Sequence, residues 1–574
     1  MTLRPAFGVS LLLGALACAG STGCAPGNTP GDAGRTDASG DAPGDAAPTA
    51  PPVRDLPVQA PPSRRVFDGV AREYLRLPGV TPPPNPTTSM ATPMAQSTAL
   101  VLRYRVDATP PRPARAVVVA MPGFLGGAAG FDPLARALVA RSAATDAPVE
   151  VWAIDRRANL LEDLRGMDAA DAMSDPELAA DYYFNESLTL GGQGFSGFRD
   201  ASDRDLSPLS EWGLAVTLGD LKAVIDRVPD PRDHVVLVGH SLGASIVEAY
   251  AAWDFDGVAG YRSIAGLVLL DGVLGGSAIT EAQYLTAGSP GIGGFGLPAV
   301  TTLRAQGPYF VALPVLGVAV QALSEISARR ALRDPGAFTQ DASRDRLLSL
   351  LLGASPPPLS NAAAFGIAFD DTSCPLAFAR MSLGAPQGGP LALRPNPFAP
   401  MEMVSVPSSR TERYTWSDAP AASPREFTSI ANGARAWAAT PTNFGEWYFP
   451  TRLVLDVTAV GDLRNREGSW PWREGLRASH GGETDVPVLG ISAALVGRAS
   501  AFDVVRGRLA PAVGAGRPRA GATRSDENGF RSLHVPRLTH LDITTADDFP
   551  ENPVPGAVLA FAVGNTRGTV TPTP

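Results

Sequence analysis

One serine stands in a setting that could make it a nucleophile. Residues 234–245 read as a short apolar strand, then the pentapeptide Gly239-His-Ser-Leu-Gly243, then the start of a helix. At such a turn the serine takes a strained backbone angle, and the glycines are needed because there is no room for a Cβ. The hydroxyl of Ser241 would project above the strand ends with the helix start aimed at it. This arrangement predicts nucleophilic attack on a carbonyl carbon.

The pentapeptide gains its weight from its surroundings. The chain contains 60 glycines in 574 residues, so a chance match to the Gly-x-Ser-x-Gly pattern is expected somewhere. The strand before it and the helix after it favour a nucleophile over a surface serine in a glycine-rich turn.

A serine hydroxyl is a weak nucleophile near neutral pH, so Ser241 needs a base, and the base needs an acid to orient it. His540, in Leu538-Thr-His-Leu-Asp542, closes the last predicted strand, and in the chain order nucleophile, acid, base the histidine comes last. His240 lies inside the pentapeptide, where we expect its side chain to point away from the serine and to pack. The other histidines stand at the start of a strand, in a polar loop and within a strand, and are His234, His480 and His534.

Two aspartates could orient His540. The loop after the predicted strand 486–491 is the commonest position for the acid, but its first carboxylate is Asp503. Asp271 instead ends the preceding strand, 264–271. Because an aspartate at a strand end is also common without a catalytic duty, both remain candidates, with Asp271 slightly favoured.

The negative charge that develops on the attacked carbonyl oxygen needs two backbone N–H donors. One should be the N–H of Leu242, directly after the nucleophile. The other should come from the turn Pro122-Gly-Phe124, where glycine allows a close backbone approach. We expect it to be the N–H of Phe124.

The surrounding sequence alternates apolar strands with helices. Strands are predicted at 99–106, 116–121, 149–154, 235–238, 264–271, 486–491 and 530–541, and helices at 134–144, 214–228, 243–253 and 555–563. Continuous apolar strands separated by helices predict an α/β protein with a mostly parallel sheet covered on both faces. Insertions at 158–210 and 272–450 interrupt the alternation, and the second is placed to cap the crevice at the strand ends. Its apolar stretch Tyr309 to Leu323 indicates either a hydrophobic acyl group or the cap's own core.

These motifs resemble the α/β-hydrolase superfamily, and in particular secreted bacterial esterases and lipases. The resemblance covers roughly 100–271 and 480–565, through Met121-Pro-Gly-Phe124, the Ser241 pentapeptide, Leu269-Leu-Asp271 and Thr539-His540. It implies an α/β-hydrolase fold and ester hydrolysis through an acyl-enzyme; some lipases carry their acid at the position of Asp271. A histidine often precedes the glycine where this chain has Pro122. The serine argues against dehalogenase or epoxide hydrolase chemistry, in which the superfamily uses aspartate.

The N-terminal segment resembles a bacterial lipoprotein signal. An apolar run from Phe7 to Ala17 is too short to span a bilayer, and either Cys18 or Cys24 would be lipidated. Residues 25–65 lack large apolar side chains and predict a flexible tether. The predicted order is a signal segment (1–24), the tether (25–65), core (66–271), cap (272–450) and core (451–574). This predicts a lipid-anchored protein outside the cytoplasm, on the outer membrane or cell surface more than on the inner membrane.

Composition limits the remaining functions. The net charge of −9 with no basic cluster argues against a nucleic-acid partner. Neither paired Cys/His spacing nor an H-E-x-x-H motif is present, so no metal or cofactor is expected, and the expected partners are an ester substrate and the membrane. Two alternatives are a catalytically silent hydrolase fold that acts as a binding module and a dinucleotide-dependent oxidoreductase. The second depends on the turn 123–130 and Asp155, but leucine at 125 breaks the G-x-G-x-x-G spacing.

Overall fold

The computed structural model describes residues 54–56, 63–184, 188–190, 193–195, 201–275, 278–291, 296–311, 317–339, 348–349, 352, 356–418 and 426–572. The predicted signal segment, with Cys18 and Cys24, lies outside the described residues, as does most of the tether. Within the tether, however, Arg54–Leu56 forms a strand that pairs in parallel with Leu188–Leu190, which departs from the predicted flexible linker. No helix in the described ranges is long and apolar enough to cross a membrane.

A nine-stranded sheet forms the centre of the molecule. Its strands are β1 (Arg64–Phe67), β2 (Val70–Pro78), β3 (Thr98–Val106), β4 (Ala116–Met121), β5 (Val149–Asp155), β6 (Val235–His240), β7 (Gly266–Leu270), β8 (Val488–Ser492) and β9 (Phe530–His534). Their order is β9-β8-β7-β6-β4-β5-β3-β2-β1. β5 and β6 lie on opposite sides of β4, so the strand order reverses at β4. Sheets of this kind bind ligands in the crevice at such a reversal. Strands β4 to β9 run parallel, and β1 to β3 are antiparallel additions at one edge.

Helices cover both faces of this sheet. The helices of seven or more residues in the described ranges are α1 (Asp132–Ala143), α2 (Arg165–Met173), α3 (Pro176–Phe184), α4 (Leu214–Ile225), α5 (Leu242–Ala252), α6 (Val300–Gln306), α7 (Gly317–Arg333), α8 (Asn361–Phe369), α9 (Ile430–Trp437), α10 (Thr451–Ala459) and α11 (Val554–Asn565). Alternate strand residues point to opposite faces, so Val117 and Val119 pack with α4 and α5, whereas Val118 and Ala120 pack with α1 and α11. The α/β-hydrolase fold predicted from the sequence is confirmed.

The two insertions pack together as one layer. The first contributes α2 and α3. The second contributes α6 to α9 and two antiparallel strand pairs, 384–387 with 415–418 and 391–395 with 403–407. One apolar cluster joins Tyr183 of α3, Ile326 of α7 and Trp447. Tyr309 and Ala322 belong to the same cluster, which favours the cap's own core as the role of that apolar stretch.

The last strand is shorter than predicted. It ends at His534 rather than continuing to Leu541. Pro536 follows, and proline lacks the N–H that a ladder requires. The chain therefore turns at this point, and His540 lies in a loop ahead of the short helix Asp542–Thr545.

Candidate active site

The turn between β6 and α5 holds Ser241 in a strained conformation. Its φ of 55° and ψ of −124° lie in a region that non-glycine residues rarely adopt. A Cβ at Gly239 would lie 2.3 Å from the carbonyl oxygen of Gly243, and one at Gly243 would lie 2.2 Å from that of Met121. Only glycine fits both positions. The N–H of Ser241 donates to Leu270 O at 2.9 Å, which ties the strained turn to β7.

Two backbone segments meet at the serine. Helix α5 begins at Leu242, and the first N–H groups of a helix have no partner within it and carry the positive end of its dipole. On the other side, a Cβ at Gly123 would lie 2.7 Å from Ser241 Cβ, so the turn that contains Phe124 runs directly against the serine. Both predicted oxyanion donors therefore belong to segments that adjoin Ser241.

A buried arginine braces that turn. Arg156, which directly follows β5, donates to the carbonyl oxygens of Pro122 at 3.0 Å and of Gly123 and Gly126 at 2.7 Å. Its Nε donates to Glu446 Oε2 at 2.7 Å, and its guanidinium lies 4.7 Å from the ring centre of Phe449. In the sequence, the only signal for Arg156 is a charged residue directly after a core strand, and nothing indicates Glu446.

His540 is oriented by Asp271. Its Nδ1 lies 2.8 Å from Asp271 Oδ2, and both side chains are buried. The carboxylate also accepts backbone N–H groups from Ala493 at 2.7 Å, Leu495 at 3.0 Å and Val496 at 3.0 Å. Burial alone would raise the pKa of Asp271, but the hydrogen bond and charge of His540, with the backbone donors, hold it below its usual value. The carboxylate is therefore ionised and keeps the proton on Nδ1.

Asp503 is not brought to His540. It starts the short helix Asp503–Arg506, faces solvent and pairs with Arg506 at 2.6 Å. The structure thus brings together one of the two candidate acids, Asp271. The other histidines also lie elsewhere: His480 contacts Asp254 and Glu483, and His534 contacts Ser492.

The loop that carries His540 is held by Asp542. Its carboxylate accepts the N–H of Thr539, the residue directly before His540, at 2.8 Å. It also accepts the N–H of Ser382 at 2.9 Å and the hydroxyl of Thr428 at 2.6 Å, both from the cap. The cap is therefore part of what positions His540. In the sequence Asp542 lies two residues after the histidine, but nothing there indicates its distant hydrogen-bond partners.

His240 contributes more than the packing expected of it. Its ring centre lies 4.5 Å from that of His540, and its Nε2 lies 3.0 Å from the carbonyl oxygen of His540. Burial, together with the charge of His540, lowers the pKa of His240, so the ring is neutral and donates this hydrogen bond. The packing expected of His240 is found, and its partner is the candidate base itself, which the sequence did not indicate.

Ser241 and His540 line one small cavity. Its volume is about 30 Å³, enough for a few small atoms. Its wall includes four aromatic side chains, which are Phe124, Phe131, Phe378 and Phe444. The last two come from the cap, so the core supplies the reactive groups and the cap supplies part of the enclosure.

Asp155 does not face a cofactor crevice. It is buried, and its Oδ1 accepts the N–H of Ala128 at 2.5 Å inside the turn. Because this carboxylate is buried rather than presented to a ligand crevice, the oxidoreductase alternative finds no support. The described ranges contain no group of three or more His, Cys, Asp or Glu side chains that could hold a metal ion.

Comparisons with known proteins concern the fold alone. No protein-family model and no curated protein matches the sequence. Among solved structures, a candidate lipase from Sulfolobus solfataricus is 14% identical with a TM-score of 0.39, over 86% of this chain and 94% of that one. An epoxide hydrolase from an endophytic Streptomyces is 13% identical with a TM-score of 0.34, over 87% and 96%. A peroxisomal alpha-beta-hydrolase from Saccharomyces cerevisiae is 12% identical with a TM-score of 0.32, over 88% and 92%. Because these values are low, function has to be inferred from this chain's own residues.

Proposed function

We propose that this chain is a serine hydrolase that cleaves carboxylic esters. The observation that carries the proposal is the buried 2.8 Å hydrogen bond from His540 to Asp271, beside a cavity that His540 shares with the strained Ser241. A histidine held by an ionised carboxylate and facing a serine on a sharp turn is the arrangement that activates a hydroxyl.

In the proposed reaction, Ser241 Oγ attacks the ester carbonyl carbon while His540 Nε2 takes the hydroxyl proton. The N–H groups of Leu242 and Phe124 stabilise the negative oxygen of the tetrahedral intermediate. His540 then gives its proton to the departing alcohol, which leaves an acyl-enzyme. Water, deprotonated by His540, releases the acid and restores the serine. The hydrogen bond between Ser241 Oγ and His540 Nε2 would form as substrate binds, since catalytic hydrogen bonds are commonly completed only in the substrate complex.

The size of the cavity favours a short acyl group. A space of about 30 Å³ walled by phenylalanines has no room for a long chain unless the cap moves. We therefore expect p-nitrophenyl acetate and butyrate to be cleaved with higher kcat/KM than the decanoate. Phe378→Ala should shift the preference towards longer chains, whereas Phe398→Ala, which packs in the cap away from the cavity, should not.

Fluorophosphonate labelling tests the central claim. The folded protein should be labelled on the peptide that contains Ser241, and Ser241→Ala should abolish labelling and reduce kcat by about 10⁴-fold or more. Ser245→Ala, one turn further along α5, is the matched control and should retain activity. Absence of labelling in the folded wild type would favour a silent binding module instead.

Lipid anchoring outside the cytoplasm remains a prediction from the sequence. Metabolic labelling of expressing bacteria with a palmitate analogue should mark the wild type. Loss of the label in only one of Cys18→Ser and Cys24→Ser would identify the lipidated cysteine. A protein that is exported without any label would contradict the anchor.

A further inference from the structure

A second cavity, separate from the Ser241 cavity, has six arginines among its fourteen lining residues. It has a volume of about 330 Å³ and lies where the edge strand β1, helix α1 and the two insertions meet. Its charged lining consists of Arg65, Arg72, Arg136, Arg329, Arg333 and Arg435, with Asp132 and Asp171. Such a concentration of positive charge stands out in a chain whose formal net charge is −9. We propose that this cavity binds a small organic anion that carries a phosphate or carboxylate group.

The carboxylates present do not neutralise these arginines. Arg72 and Arg136 share Asp132, at 3.1 Å and 2.9 Å. Arg329 pairs with Asp171 at 2.8 Å and with Glu325 at 3.5 Å. One aspartate thus serves two guanidinium groups, and the arrangement carries an excess of positive charge.

Two of the arginines make no close ion pair in the described ranges, although Asp168 and Asp171 lie in the vicinity of Arg65 and Asp547 in that of Arg435. Arg333 pairs with Asp175 at 3.1 Å, but in the described ranges no carboxylate lies within ion-pair distance of Arg65 or Arg435. The Nε of Arg65 is buried and has no hydrogen-bond partner. Arg435 reaches only the amide oxygen of Asn432, at 3.4 Å. A buried guanidinium nitrogen with no acceptor is costly, and an anion in the cavity would supply the missing acceptor.

The remaining arginines are held in place before any ligand arrives. The guanidinium groups of Arg72 and Arg136 lie 4.9 Å and 6.0 Å from the ring centre of Phe67. Thr440 accepts from Arg72 through its carbonyl oxygen at 3.1 Å and from Arg329 through its hydroxyl at 2.6 Å. A planar guanidinium group that is fixed in this way can donate two parallel hydrogen bonds to the paired oxygens of a phosphate or carboxylate.

The cavity has room for more than an inorganic ion. A volume of about 330 Å³ falls at the lower end of the range for small-molecule sites. The apolar lining from Ala170, Pro176, Leu332 and Ala438 offers contact for a carbon skeleton. The ligand is therefore an organic anion of the size of a phosphorylated three- to six-carbon compound, and the acidic group remains to be distinguished by experiment.

Titration calorimetry of the full chain at constant ionic strength tests the proposal. The probes are inorganic phosphate, glycerol 3-phosphate and glutarate. The variant is Arg65→Gln with Arg435→Gln, which leaves the Asp132 and Asp171 ion pairs intact. It should bind the anion at least about tenfold more weakly than wild type, since each substitution removes a charge-assisted hydrogen bond to the anion. Arg410→Gln with Arg466→Gln, two exposed positions elsewhere, removes the same charge and should bind like wild type.

The outcomes are distinct. Saturable binding of glycerol 3-phosphate or glutarate that only the cavity variant weakens supports the site and identifies the anionic group. Binding of none of the probes, or equal weakening in both double variants, overturns it, as does binding of inorganic phosphate alone. If the double variant unfolds, the exposed single variant Arg435→Gln gives the same comparison. Ser241→Ala should bind normally, so the result is independent of the proposed ester hydrolysis.

Discussion

The serine side and the histidine side of the candidate site are held in different ways. Around Ser241, backbone atoms pack so closely that Gly239 and Gly243 admit no Cβ, and the constraint comes from the backbone of the turn itself and of the core segment that ends at Met121. His540 instead depends on side-chain hydrogen bonds to residues far along the chain, through Asp271 and through Asp542. The nucleophile is thus positioned by close backbone packing, and the base by side-chain hydrogen bonds, of which those through Asp542 also need the cap to be packed.

This difference decides how each side should fail. A change at the serine turn forces the backbone to move, so it threatens folding. A change at a hydrogen-bond partner of the histidine leaves the backbone intact but misplaces the imidazole, so it should cost rate more than stability. We therefore expect substitutions on the two sides of the site to differ in their effects on kcat and on folding stability.

The largest effect is expected at Asp271. Replacing it with asparagine removes the charge that orients His540 and stabilises the imidazolium, and should lower kcat by about 10⁴-fold with little change in KM. Asp503→Asn is the control, because Asp503 faces solvent and should be dispensable. Steady-state kinetics with a short p-nitrophenyl ester measure both. If Asp503→Asn were inactive and Asp271→Asn active, the assignment of the acid would be reversed.

Asp542→Asn should have a smaller effect on the same side. An amide cannot accept all three of the hydrogen bonds from Thr539, Ser382 and Thr428, so the loop should shift and kcat should fall about ten- to a hundredfold. Asp547→Asn is the matched control, since Asp547 also binds the cap, through Ser429 and Asn432, but not the loop of His540. It should lower the unfolding temperature and leave kcat unchanged. Equal losses of kcat in the two variants would contradict a positioning role.

The same division explains what the sequence could predict. The α/β class and the positions of β4 and β6 followed from apolar runs, because a buried strand is recognised from its own few consecutive residues. Ser241 could be proposed from one pentapeptide for the same reason. The choice between Asp271 and Asp503 stayed open, since it depends on which loop packs against the histidine. The role of Asp542 and the contact of His240 with His540 were missed, because each depends on partners contributed by distant segments.

Arg156 is the exception on the serine side, since its contact with Glu446 links the oxyanion turn to the cap. Arg156→Lys keeps the charge but cannot reach three carbonyl oxygens and a carboxylate together, so kcat should fall about tenfold with KM nearly unchanged. Arg157→Lys is the control, because this equally buried neighbour pairs with Asp220 and does not touch the turn. It should leave kcat unchanged. An unaffected kcat in Arg156→Lys would mean that the serine side is set by close backbone packing alone.

The smallest expected effect concerns pH and the contact between cap and core. Glu162 of the first insertion and Glu325 of the cap both accept from Asn443 Nδ2, at 2.6 Å and 2.9 Å. Burial raises the pKa of Glu325 and of Glu446 to about 7, and it raises that of Glu162 well above its usual value. In the unfolded chain these groups titrate near 4.3. The folded state therefore holds more protons between about pH 4.5 and 7, and its stability should fall as the pH rises through that window.

Thermal unfolding at pH 5.5 and pH 8 measures this dependence, and the melting temperature should be lower at pH 8. Glu325→Gln carries a neutral group of the same shape, so it should reduce the difference between the two pH values by raising stability at pH 8. Glu412→Gln, at an exposed position, should leave the difference unchanged. If Glu325→Gln kept the full difference, the buried carboxyls would not be what makes the packing of the cap sensitive to pH. The histidine side would then depend on the cap through hydrogen bonds alone.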